Sequence, residues 1–104
     1  MKLTGLQKRH LRGLAHALKP CVTVGAAGVT PAVLQELAIA LAHHELLKVR
    51  LRVGDRETRD AAVAALARES GALVLGRTGH VAIMYRRNEE QPRIALPADG
   101  NDPA

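Results

Sequence analysis

Leucines recur at helical spacing near the start of the chain. Leu3, Leu6, Leu11, Leu14 and Leu18 fall on one side of a helix that turns about 100° per residue. Thr4 followed three residues later by Gln7 forms a capping box, so the helix opens there and runs to about Leu18, where Lys19-Pro20 stops it. Its opposite side carries Lys2, Lys8, Arg9, Arg12, His16 and Lys19 and no acid. Cys21 to Val24 is short, β-branched and bounded by Pro20 and Gly25, the pattern of a buried strand, with Cys21 as a buried structural thiol. A second helix begins at Thr30, a good N-cap followed by proline in the first turn. Its stripe of Val33, Leu34, Leu37 and Leu41 ends near His43-His44. Leu47 to Val53 then alternates, with Val49, Leu51 and Val53 on one face and Lys48, Arg50 and Arg52 on the other. One face of this strand is buried and the other is cationic.

Gly54-Asp55 breaks that strand, and residues from Arg56 to about Ser70 form an alanine-rich helix centred on Val63 and Leu66 and closed by Gly71. Asp55, Glu57 and Asp60 lie in its first turns, where the cap and the helix dipole account for them without a catalytic role. Ala72 to Leu75 and Val81 to Tyr85 read as two strands joined by a hairpin turn, Gly76-Arg-Thr-Gly79. The order is α-β-α-β-α-β-β. Strand-helix-strand units require parallel strands, and the terminal hairpin adds an antiparallel one, so the expected fold is a two-layer α/β domain on a four-stranded mixed sheet. The domain spans residues 1–86. The tail, residues 87–104, with Asn88, Pro92, Pro97, Gly100 and Pro103, reads as loosely ordered.

Composition sharpens this picture in two ways. A chain of 104 residues with 47% hydrophobic content makes one domain with a real core, and with no Phe, no Trp and one Tyr that core is built from Leu, Val, Ala and Ile. No stretch approaches the roughly 20 apolar residues of a membrane span, and MKLTGLQKRH lacks the apolar block of a signal peptide, so a cytoplasmic protein without membrane contact is expected. The formal net charge is +5, but the sign is uneven: the first carboxylate is Glu36, and the tail carries a net negative charge. Such an imbalance concentrates polyanions on the basic part.

The candidate site is Gly25-Ala-Ala-Gly28, between the first strand and the second helix. GxxG also occurs at Gly76, so spacing alone does not make a site. At a strand-to-helix junction, however, free N–H groups and the positive end of the helix dipole face outward, and glycines admit a phosphate backbone closely. The segment lacks a P-loop lysine and a dinucleotide fingerprint. A clamp on a nucleic-acid backbone fits it better. With Tyr85 the lone aromatic, no stacking platform for bases exists, and structured RNA held by backbone and shape is the expected target. His10, His16, His43, His44 and His80 show no ligand spacing, so neither a metal nor another cofactor is expected.

QKRHLRGLAHALKPCVTVGAAGVTPAVLQEL, HHELLKVRL, DRET, SGA and VAIMYRR, in this order over about residues 3–86, resemble the YhbY-like family of bacterial stand-alone CRM domains. The resemblance implies a fold like the C-terminal domain of translation initiation factor three and RNA binding in which the GxxG loop takes part. It further implies association with precursor large ribosomal subunits and no catalysis. By position, the family's loop is Gly25 to Gly28, its basic helix contains Lys8, Arg9 and Arg12, and its closing strand contains Tyr85-Arg86. Members often carry a lysine or polar residue between the glycines, where this chain has Ala26 and Ala27. The expected RNA-binding set is therefore Lys8, Arg9, Arg12, Lys19, Gly25, Ala26, Ala27, Gly28, Thr30, Lys48, Arg50, Arg52 and Arg86. A monomer bound to ribosomal RNA, with no DNA partner, is expected. The competing reading is a module that binds ribosomal proteins or other acidic partners without touching RNA.

Overall fold

A computed structural model describes residues 2–98. Its elements are α1 (Gly5–Ala15), β1 (Val22–Val24), α2 (Pro31–His44), β2 (Leu46–Leu51), α3 (Arg56–Ser70), β3 (Leu73–Thr78) and β4 (Val81–Tyr85). The strands form one mixed sheet in the order β1-β2-β4-β3, with β1 parallel to β2 and β4 antiparallel to both of its neighbours. The hairpin thus inserts its last strand between the two that α3 connects.

The helix starts follow the residues expected to make them. Thr4 and Gln7 close a reciprocal capping box, Thr30 accepts from the Val33 N–H, and Asp55 accepts from the Thr58 N–H. That last bond holds the Asp55 carboxyl below its ordinary pKa. Gly71 closes α3 in the left-handed conformation, φ 73°, which only glycine adopts without a Cβ penalty.

Several boundaries move. α1 ends at Ala15 rather than Leu18, because the N–H groups of His16, Ala17 and Leu18 bond three residues back and tighten the chain into a last turn. Cys21 lies outside β1 and is exposed, so it is not a core thiol. β2 runs from Leu46 to Leu51, because Val53, although buried, already belongs to the turn into α3. Gly76 to Gly79 is not the hairpin turn. β3 continues through Thr78 with an irregularity between Val74 and Gly76, and the turn is Gly79-His80, with Gly79 at φ 56°.

The layers follow from the alternation of β2. Leu47, Val49 and Leu51 point into the main core with Val22, Val24, Leu37, Leu41 and Leu66. α2 and α3 cover that face as the expected second layer. α1 does not join them. Leu3, Leu11 and Ala15 pack with Leu46, Leu75 and Tyr85 on the other face, adding a partial third layer. Only Leu11 and Ala15 seat the helix proper, so Leu6, Leu14 and Leu18 of the expected apolar side remain exposed.

The segment after β4 is not loose over residues 88–97. Glu45, fully buried at the end of α2, accepts from the N–H groups of Asn88, Arg93 and Ile94 at 2.7, 2.7 and 2.8 Å. Gln7 donates to the Pro97 carbonyl, and Ile94 and Leu96 join the smaller core. Residues 99–104, including Gly100 and Pro103 of the expected loose tail, lie outside the described residues.

Candidate nucleic-acid interface

The sheet face that α1 occupies is only half covered. Beyond the end that packs on Leu46 and Tyr85, β2 and the hairpin leave an open groove of about 630 Å3, flanked by α1. Its cations come from three elements: Arg12 from α1, Lys48 and Arg50 from β2, and Arg77 from β3, with His16 lining it just after α1. The same alternation that buries Val49 and Leu51 completely turns Arg50 outward, opposite Thr23 on one side and Val81 on the other. No acid stands opposite it in the sheet.

Pairing separates these cations into two kinds. Arg77 forms an ion pair with Asp60, so much of its charge is already answered. Arg12 donates to the Leu75 carbonyl at 3.2 Å, which anchors its guanidinium at the groove edge and leaves its charge uncompensated. Among the described residues, Lys48, Arg50 and Arg52 have no carboxylate within ion-pair distance. Cations held on a strand without acids repel one another, and a polyanion relieves that repulsion.

The GxxG segment lies at one end of the sheet, just after β1. The Gly28 N–H donates to the Gly25 carbonyl at 2.9 Å, closing a turn whose central residues, Ala26 and Ala27, are exposed. Gly28 sits at φ 79°, which explains that glycine. The backbone N–H of Arg52 donates to the Val24 carbonyl at 2.8 Å, so the turn stands beside Arg52. The Leu51 N–H reaches the His80 carbonyl at 2.6 Å, which brings the Gly79-His80 turn to the same end of the sheet.

The donors here differ from the expected ones. At the start of α2, Pro31 has no N–H, Val33 donates to the Thr30 hydroxyl and Leu34 to the Thr30 carbonyl. Thr30 is therefore first a cap. Among the described residues, the N–H groups of Ala26, Ala27 and Ala32 have no internal acceptor, so the anion-binding capacity lies mainly in the turn itself.

Of the remaining expected residues, Lys8 and Arg9 are exposed on α1, one turn before Arg12. Lys19 is exposed next to Pro20, which lines the groove. Arg86 is elsewhere: its guanidinium donates to the Ser70 carbonyl at 2.9 Å and the Ala38 carbonyl at 3.3 Å, tying α3 to α2. These bonds make it a structural clamp, and it follows the end of β4, at the opposite end of the sheet from the GxxG turn. Arg77 and Thr78 also line the groove, a place on β3 that the turn-like pattern of Gly76 to Gly79 conceals in the sequence.

Cys21 is not poised as a nucleophile. It is exposed, yet partial desolvation of its sulfur, then the negative charge of Glu36, pushes its thiol pKa up. Among the described residues no His, Cys, Asp or Glu cluster gathers three potential metal ligands, and no helix is long and apolar enough to cross a membrane.

Residues 3–86 match the family model of the CRS1 / YhbY (CRM) domain. A curated Haemophilus influenzae protein named "RNA-binding protein" is 44% identical over 95 residues, covering 91% of this chain and 95% of that one. The Bacillus subtilis protein named "Probable RNA-binding protein YqeI" is 35% identical over 95 residues, covering 91% of this chain and 99% of its own. Among solved structures, the solution structure of SAV1595 from Staphylococcus aureus superposes with a TM-score of 0.78 at 28% identity. It covers 92% of this chain and 100% of that chain.

Proposed function

The chain belongs to the CRS1/YhbY (CRM) domain family, and on that premise we propose that it binds structured RNA, specifically ribosomal RNA in precursor large subunits, and assists their assembly without catalysing a reaction. The observation that carries this reading is the unanswered charge of Arg12, Lys48 and Arg50 around one groove, with Arg52 and the free N–H groups of the GxxG turn at one end of the same sheet. Backbone phosphates are the ligand such a surface suits. The family's relatives carry RNA-binding names, which supports the same class of partner.

The test is a gel shift with ribosomal RNA stripped of protein, repeated over a range of salt. If about four phosphates are neutralised, log affinity falls against log salt with a slope of roughly −3 to −4. A slope near zero contradicts the electrostatic reading. The exposed leucines of α1, Leu6, Leu14 and Leu18, favour the alternative of an acidic protein partner. In that case stripped RNA does not bind, whereas ribosomal proteins do.

A further inference from the structure

The groove has an apolar floor as well as cationic walls. Val81 and Ile83 of β4 lie half-buried at its base. Gly76 of β3 keeps it open: a Cβ added there lies 3.5 Å from the Arg12 Cδ and 3.5 Å from the Ile83 Cδ1. That is ordinary contact with both walls, so any side chain longer than a methyl occupies the space between them. The backbone of Gly76 has no positive φ that would demand glycine. What glycine preserves at this position is volume.

A phosphate backbone alone has no use for an apolar floor. A nucleobase does, since its faces are apolar and its charge sits on the flanking phosphates. The groove's 630 Å3 falls within the roughly 300–1,000 Å3 of small-ligand sites. Guanidinium planes stack on bases where aromatic rings are missing, and Arg12 and Arg50 stand at the walls. Resting on the RNA-binding reading above, we infer that this groove receives a single unpaired nucleotide extruded from an RNA helix. The base lies on Val81 and Ile83, and its flanking phosphates lie on Arg12, Lys48 and Arg50. The chain thereby selects structured RNA that carries a bulge over uninterrupted duplex.

The test uses two RNA hairpins identical except for one unpaired adenosine in the stem, titrated by fluorescence anisotropy at a single ionic strength. The intact chain is expected to bind the bulged hairpin at least tenfold more tightly. Gly76→Val fills the groove and keeps every cation. It is expected to bring the two affinities within about twofold by weakening binding of the bulged hairpin far more than that of the paired one, with the salt slope unchanged. Circular dichroism checks its fold. Gly76→Ala, whose Cβ meets only ordinary contacts, serves if the valine variant unfolds, and is expected to reduce the preference about threefold. Equal binding of both hairpins by the intact chain overturns the inference and leaves the RNA reading standing, as does a preference that survives in the folded variant. Failure to bind either hairpin overturns both.

Discussion

Replacing Lys48 and Arg50 together with glutamate is expected to weaken binding to protein-free ribosomal RNA at least a hundredfold without unfolding the chain. Neither side chain contributes to the main core, and Arg50 is exposed. Each cation that meets a phosphate makes a charge-assisted hydrogen bond worth about 1.5–3 kcal/mol, and losing two of them alone accounts for two decades or more. Each reversed charge adds repulsion. Arg68→Glu changes charge on the exposed side of α3, where Arg68 contacts only its neighbour Glu69. Exposed pairs of this kind contribute little, so this control is expected to bind within about threefold of the intact chain at the same salt. The double variant changes net charge by 4 and the control by 2, so a loss in the control about half that of the double variant on a logarithmic scale means that net charge, and not this face, determines affinity.

The largest effect on stability is expected at Glu45. Its carboxylate is fully buried, and its bonds to the N–H groups of Asn88, Arg93 and Ile94 hold the chain after β4 against the sheet. Its backbone sits at φ 59°, outside the range that non-glycine residues favour. Glu45→Ala keeps that strain and removes the two carboxylate oxygens that accept all three bonds, so a loss of about 3 kcal/mol is expected in urea unfolding. Amide exchange at Asn88, Arg93 and Ile94 is expected to accelerate before that of β2. A loss under about 1 kcal/mol, with those amides unchanged, means that the carboxylate is not the fastener. Nearby Tyr85 registers the same environment: burial and the charge of Glu45 raise its phenol above the ordinary value.

The sequence made element types legible wherever a local chemical reason sufficed. Thr4 with Gln7, Thr30 before Pro31, and Asp55 before α3 each announce a helix start, and the structure places a cap at all three. The cationic alternation of β2 was equally plain. What escaped depends on pairing across the chain. Which leucines of α1 are buried is decided by where the helix crosses the sheet, and so Leu6 and Leu14 looked no different from Leu11. The displaced hairpin turn follows from the irregularity near Gly76, which no local pattern marks. Nothing local marks Glu45, since its partners lie more than forty positions later.

The groove illustrates the same limit for the site. Arg12, Arg50 and Val81 are far apart in the chain and meet only because α1 covers half of the face on which β2 and β4 pair. The GxxG turn was legible as a place, and the φ of Gly28 accounts for one of its glycines. Its donors were not, because the Thr30 cap consumes N–H groups that the start of a helix otherwise offers.

The central claim is that RNA phosphates rest on the face shared by the GxxG turn and β2, and amide shift mapping reads this directly. The isotope-labelled chain is titrated with a short RNA hairpin while backbone amide resonances are followed. The expected result is the largest shifts at Ala26 and Ala27, whose N–H groups are free to donate, with further shifts at residues 48–52 and 76–81 and silence on the outer faces of α2 and α3. Shifts concentrated on α2 and α3, with Ala26 and Ala27 unmoved, contradict the claim.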